Sequence, residues 1–266
     1  MRNDDPFGNA CLSYLEGNRG EEIIVFCNVT EEDVIPVDYL FRPYNEMPEI
    51  EQIALSSCLG KVLVIGAGAG CHSIWLQDKG LDVTSVDVSP GAIKTMKQFG
   101  LKNVYLQDFY KLDESIKFDT VISLMNGVGI AGDLDSLPMF LNKCSSLVKD
   151  NGQILLDSTD LNYLIEEEEV DYNTNADYIG ELEYQMSFEN SETDWFKWLY
   201  IDKEKLKTTG LANRRNYGQL VLFTFSTDSV DNLVDKLPSL TLNDGYIRDF
   251  TDWSKINHKS INCYKT

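Results

Sequence analysis

The stretch Val64-Ile65-Gly66-Ala67-Gly68-Ala69-Gly70 constrains the fold of this chain more than any other. It ends an apolar, β-branched run beginning at Lys61, as a strand buried on both faces requires. It leads into Cys71 to Lys79, which has helical spacing and stops at Gly80. Closely spaced glycines between a buried strand and a helix let a ligand approach the main chain and leave N–H groups free at the helix start. The expected architecture is therefore α/β, with a ligand at the carboxyl ends of the strands.

The rhythm continues for about a hundred residues. Strands are expected at 83–86, 104–106, 118–124 and 153–156, with helices from Ser89-Pro90 to Gly100 and from Leu134 to Val148. Strands separated by helices imply a mostly parallel sheet with helices on both faces. Beyond Asp160 the period changes to two. Leu182, Tyr184, Met186 and Phe188, then Phe196, Trp198 and Tyr200, alternate with other residues around a turn and predict an antiparallel C-terminal portion. A further strand is expected at 220–225. Up to residue 55 the sequence is acidic and interrupted by Pro36, Pro43 and Pro48, and it is read as an irregular cap. The boundaries are a cap over 1–55, a Rossmann-like core over 56–160, and a hairpin lid over 161–266 that completes the same domain.

Charge narrows the partners. With 43 acidic and 23 basic residues the net charge is -20, which repels a phosphate backbone, and no basic cluster offsets it. Nucleic acid is not expected as a partner, nor is a membrane, since no apolar run is long enough to cross one. The N-terminal residues lack a signal-peptide pattern, so a cytoplasmic protein is expected. The six cysteines contain no Cys-x-x-Cys pair, so free thiols and no metal site are expected.

Counted from Gly66, the dinucleotide fingerprint Gly-x-Gly-x-x-Gly meets Cys71 at its last position, while Gly70 gives Gly-x-Gly-x-Gly. From Lys61 to Asp157 the chain resembles the class I S-adenosylmethionine-dependent methyltransferases. The stretches Ile35 to Arg42 and Trp198 to Asp202 further resemble bacterial members without an assigned acceptor. The resemblance implies S-adenosyl-L-methionine as cofactor. Gly66, Ala67, Gly68 and Gly70 would form its glycine turn, and Asp87, 21 residues after Gly66, would accept from the ribose. A cap for the Ser89-Pro90 helix is the other reading of Asp87.

Val88 would lie against the adenine, Asp108 would accept from its amino group, and Phe109 would pack on the ring. Asn126, in the Ser123 to Gly129 loop, would face the methyl group, or else it is a turn residue. Arg42 and Tyr44 sit where related enzymes bring such residues over the cofactor carboxylate. His72 is read as touching the methionine tail, acting as a base, or simply starting a helix. No side chain is singled out as catalytic.

The acceptor expected is a small molecule, with a protein side chain as second choice. The loop at Asn126 lacks the Pro-Pro-aromatic element of relatives that methylate nucleic-acid bases. Two other readings stand beside this one. An NAD-dependent oxidoreductase is favoured by Asp87 and disfavoured by Cys71 and Asp108, and a non-catalytic S-adenosylmethionine-binding regulator would keep the same cofactor residues.

Overall fold

The computed structural model describes residues 5–161, 178–202, 205–206, 219–225 and 246–250. The N-terminal part carries α1 (Pro6–Glu16), β1 (Glu22–Cys27), β2 (Asp33–Pro36) and α2 (Glu49–Ser56). The alternating part runs β3 (Lys61–Ile65), α3 (Cys71–Asp78), β4 (Asp82–Asp87), α4 (Pro90–Gln98), β5 (Asn103–Leu106), β6 (Phe118–Ser123), α5 (Leu137–Leu147) and β7 (Val148–Thr159). Then follow β8 (Glu181–Phe188), β9 (Ser191–Glu192), β10 (Phe196–Leu199), β11 (Gln219–Phe225) and β12 (Tyr246–Phe250).

Seven strands form one sheet in the order β12-β11-β7-β6-β3-β4-β5, and every pair in it is parallel. Successive residues of a strand point to opposite faces, so β3 needs apolar side chains throughout. Leu63 and Ile65 pack with α5 residues Leu137, Phe140, Leu141 and Cys144. Val62 and Val64 pack on the other face with Leu55 of α2, Leu76 of α3 and Met96 of α4. Helices on both faces thus follow from strand chemistry.

The antiparallel strands expected near 182–188 and 196–201 are β8 and β10, and they lie in a sheet of their own. Its order is β10-β8-β1-β2, with β9 paired to β8. β1 joins it through pairs such as Val25 with Met186 and Cys27 with Tyr184. β11, expected at 220–225, instead extends the first sheet in parallel with β7. The acidic run Glu166 to Glu169 and His258 lie outside the described residues.

The expectation of an irregular segment before residue 55 is corrected. Pro6 opens α1, Pro36 closes β2 and Pro48 precedes α2, so the prolines mark the ends of elements. α1 lies between the second sheet and the glycine turn, packing Ala10 and Cys11 with Ile23, Phe188 and Ala69. It also crosses α4 closely, since a Cβ on Gly91 would lie 2.4 Å from the backbone of Gly8.

One carboxylate fastens both helix starts. Asp5 Oδ1 accepts from the Gly8 N–H at 2.9 Å, while Oδ2 accepts from the Gly91 N–H at 2.9 Å and the Ser89 hydroxyl at 3.0 Å. The N–H groups of a first helical turn lack intrahelical partners, and a negative charge there meets the positive end of the helix dipole. Asp5→Ala is expected to lower stability by about 1–3 kcal/mol. Urea unfolding followed by circular dichroism measures this, and an unchanged midpoint would show that the clasp contributes nothing.

Candidate functional site

β3 ends in a turn whose glycines alternate in a left-handed conformation, with φ of 61° at Gly66, 55° at Gly68 and 94° at Gly70. A Cβ at Gly70 would lie 2.7 Å from Met96 Cγ, so conformation and space both require glycine there. Ala67 lies between the first two glycines and is buried. Asp87, the last residue of β4, ties this turn to the next one. Its Oδ2 accepts from the Gly68 N–H and its Oδ1 from the Ser89 N–H, each at 2.8 Å. Burial raises its carboxyl above the usual range, the backbone N–H groups of Ser89, Gly68 and Val88 oppose that rise, and the Asp5 charge adds to it. Each oxygen retains acceptor capacity, which is what a pair of ribose hydroxyls requires.

Around Asp87 the expected adenine residues separate. Val88 is 71% exposed beside it. Asp108 accepts from the Tyr110 N–H at 3.0 Å and pairs with Lys111 at 3.4 Å. Phe109 is buried against Phe140, with ring centroids 5.4 Å apart, so its ring belongs to the core beneath α5.

A buried polar cluster stands beside the glycine turn. Arg42 Nη2 donates to both oxygens of Glu51 at 2.7 and 2.6 Å, and its Nη1 donates to the Tyr39 carbonyl at 2.8 Å. The guanidinium carbon lies 3.9 Å from the centre of the Tyr39 ring. His72, in the first turn of α3, places Nε2 at 2.7 Å from Glu51 Oε2. Arg42 and His72, thirty residues apart, therefore share one carboxylate. Tyr44 faces elsewhere: its ring stacks on Trp75 with centroids 4.4 Å apart, and its hydroxyl contacts the Gln52 carbonyl and Ser56 Oγ of α2.

The loop after β6 is the third component. Met125 and Asn126 both take left-handed backbone angles, φ 65° and 57°, which side chains other than glycine seldom adopt. The end of β7 holds them there. Asp157 accepts from the Met125 N–H at 3.0 Å and the Gly127 N–H at 2.8 Å, and Thr159 Oγ1 donates to Asn126 Oδ1 at 2.9 Å. Between them Ser158 Oγ accepts from the Ile201 N–H at 2.8 Å, joining the same strand end to the chain after β10. Desolvation pushes the fully buried Asp157 carboxyl up to about 7, with the charge of Glu51 adding to the rise and the loop N–H groups opposing it.

The second sheet covers this edge. Trp198 of β10 lies so close to Gly129 that a Cβ there would be 2.0 Å from its indole nitrogen. Tyr184 and Tyr200 are buried with their hydroxyls 3.2 Å apart. Burial holds the Tyr200 phenol up to about 12 and Tyr184 higher still, so neither serves as a base near neutrality. Among the described residues no group of histidine, cysteine and acidic side chains could hold a metal ion, and no helix is long and apolar enough to cross a membrane. Cys11, Cys27, Cys58, Cys71 and Cys144 are free thiols.

Sequence reasoning passed over Glu51, Asp157 and Thr159. Asp157 carried the same signal as Asp87, an acid closing an apolar strand. Glu51 carried none, because its partners are recruited by the fold.

A parallel sheet with a glycine turn after its first strand, an acid after its second and a covered loop after its fourth defines a nucleoside-cofactor enzyme of Rossmann type. A family model described as a methyltransferase domain matches residues 62–152. The chain is 36% identical to an S-adenosylmethionine-dependent methyltransferase from Bacteroides fragilis, crystallised with S-adenosyl-L-homocysteine. The match covers 80% of this chain and 88% of that one, with a TM-score of 0.73. The sugar N-methyltransferase KedS8 from Streptoalloteichus sp ATCC 53650 is 14% identical, covering 64% of this chain and 81% of its own at TM-score 0.42. The CcbJ methyltransferase from Streptomyces caelestis is 16% identical, covering 64% and 82% at TM-score 0.44. No curated protein matches the chain. The chain belongs to the class I S-adenosylmethionine-dependent methyltransferases. Its cofactor is S-adenosylmethionine, and the nicotinamide reading is set aside.

Removing the shared carboxylate strands a buried cation. Glu51→Ala is expected to cost about 3–5 kcal/mol. Glu51→Gln, which keeps an acceptor oxygen for Arg42, is expected to cost less. Equal unfolding free energies for both variants and the parent chain would refute a buried ion pair.

Proposed function

We propose that this methyltransferase acts on a small molecule enclosed between the loops at the carboxyl edge of the parallel sheet and the second sheet above them. The carrying observation is the arrangement at that edge. Asp87, the glycine turn and the loop at Asn126 meet there, beneath a sheet whose Trp198 rests on Gly129.

In this reading Asp87 accepts from the ribose hydroxyls, Val88 covers one face of the adenine, and Asp108 accepts from its amino group. Gly66, Ala67, Gly68 and Gly70 give the close backbone approach. Arg42 and His72, joined by Glu51, support the methionine end, with Tyr44 packed behind them against α2. Asn126 borders the reacting atoms. Phe109 contributes through the core that supports this edge.

When bound, the cofactor supplies a methyl group on a sulfonium whose thioether is already a good leaving group. The protein's task is then alignment and exclusion of water, which contribute up to roughly 7–11 kcal/mol in favourable cases. The aromatic side chains of the second sheet suit the second part of that task. The net charge of -20 disfavours nucleic-acid acceptors.

Asp87→Ala is expected to weaken S-adenosylhomocysteine binding by about 1–3 kcal/mol, read by calorimetry. An unchanged dissociation constant would remove Asp87 from the site. For the acceptor, methyl-labelled cofactor is offered to a fractionated metabolite extract, a protein extract and purified nucleic acid. Label is expected in the metabolite fraction, and label confined to nucleic acid or protein would overturn the small-molecule reading.

A further inference from the structure

The loop after β6 holds a conformation it would not choose alone. Met125 and Asn126 are consecutive non-glycine residues in the left-handed region, and the third such residue among those described, Glu189, stands alone. In that conformation the N–H groups of residues 125 to 127 converge, forming a concavity that binds anions. The occupant is Asp157, which takes the Met125 and Gly127 N–H groups at 3.0 and 2.8 Å and also feels that of Asn126.

Asp157 is fully buried at the end of β7, so it does not belong to the cofactor's own contacts. It acts through the loop. Its neighbour Thr159 fixes the Asn126 side chain by donating to Oδ1 at 2.9 Å. The turn itself has no slack, because a Cβ on Gly127 would lie 2.5 Å from Ser123 Oγ.

We propose that Asp157 is a positioning residue: its ionised carboxylate, seated across the N–H groups of residues 125–127, holds the loop in the form that binds cofactor, and its protonation releases that loop. This rests on the reading that the Asn126 loop borders the cofactor. An ionised carboxylate accepts from several N–H groups at once, whereas a protonated one loses acceptor capacity and gains a hydroxyl that has no place among donors.

Glu51 of α2, which bears Arg42 and His72, raises the Asp157 carboxyl, and the Tyr200 phenol lies within its field. Burial outweighs the N–H bonds, bringing the carboxyl up to about 7. The sign follows from that balance. Above neutrality the carboxylate is charged and the loop is held; below it the carboxyl is neutral and the loop is free. Ionisation also opposes folding, so the stability contributed by the neutral form is lost as the pH rises from about 4 to 7.

Labelling with carbonyl-¹³C asparagine and ¹⁵N glycine isolates two amides, Gly127 and Gly152, because only Asn126 and Asn151 precede a glycine. In the unmodified protein the Gly127 amide is expected to titrate with a midpoint near neutrality while Gly152 does not follow it. S-adenosylhomocysteine affinity, measured by calorimetry, should fall about tenfold from pH 8 to pH 6 as the ionised fraction falls. Asp157→Asn should abolish the Gly127 titration and bind more than about tenfold more weakly at pH 8. His72 and Glu51 are intact in that variant, so any dependence due to them survives.

A Gly127 amide that does not titrate, or an Asn variant that binds as tightly as its parent at pH 8, overturns the proposal alone. Should the variant fail to fold, the unmodified protein still decides it, because amide titration and affinity must share one midpoint. Absence of S-adenosylhomocysteine binding at every pH is a different result: it overturns the cofactor reading and this proposal with it.

Discussion

At the carboxyl edge of the parallel sheet, side-chain carboxylates accept from backbone N–H groups of the loops, and the site depends on that arrangement. Parallel strands all end at one edge, and each must turn there without a ladder partner for the N–H groups that follow. Asp87 takes two of these groups, from Gly68 and Ser89, and Asp157 takes two, from Met125 and Gly127. Asp5 serves the next layer out, at the starts of α1 and α4. The acidic composition thus has local uses besides its effect on partners.

These bonds are made at a cost that differs between sites. Asp87 and Asp157 are both raised by burial, and a second carboxylate adds to each rise, the part-buried Asp5 at Asp87 and the fully buried Glu51 at Asp157. Glu51 in turn exists because Arg42 and His72 converge on it. A charged cluster behind the glycine turn is therefore felt at the loop after β6 through the field rather than through contact. The low polarity of the interior makes such an influence stronger than it would be in water.

How far the sequence discloses this depends on the distance between partners. β3 matches its expected span, and β4, β5 and β6 differ from theirs by a residue at one end or both, because their apolar runs and glycine stops are local signals. β8 and β10 were legible from strict alternation, but the placement of β8 beside β1 was not, since β1 lies more than 150 residues earlier. β1 itself, Glu-Ile-Ile-Val-Phe-Cys, was hidden by the prolines and acids that follow it. Among the candidate site residues, Asp87 and the glycines stand out in the sequence because each closes or follows an apolar strand run. Glu51 does not, because a buried carboxylate is intelligible only once the fold shows Arg42 and His72 on either side of it.

The pairing of β1 with β8 also orders events in time. Ile24 of β1 faces Ser187 of β8, so a ribosome making the chain exposes the first strand long before the partner exists. At about 5–20 residues per second that interval is roughly eight to thirty seconds. The waiting partner is a hairpin with Ile23, Ile24 and Val25 on an open edge, a surface that invites pairing with a foreign strand. The parallel core from β3 to β7 emerges within the same interval, so α1, β1 and β2 can dock on its glycine turn before their sheet is complete. The second sheet is therefore begun by residues synthesised well before those that finish it.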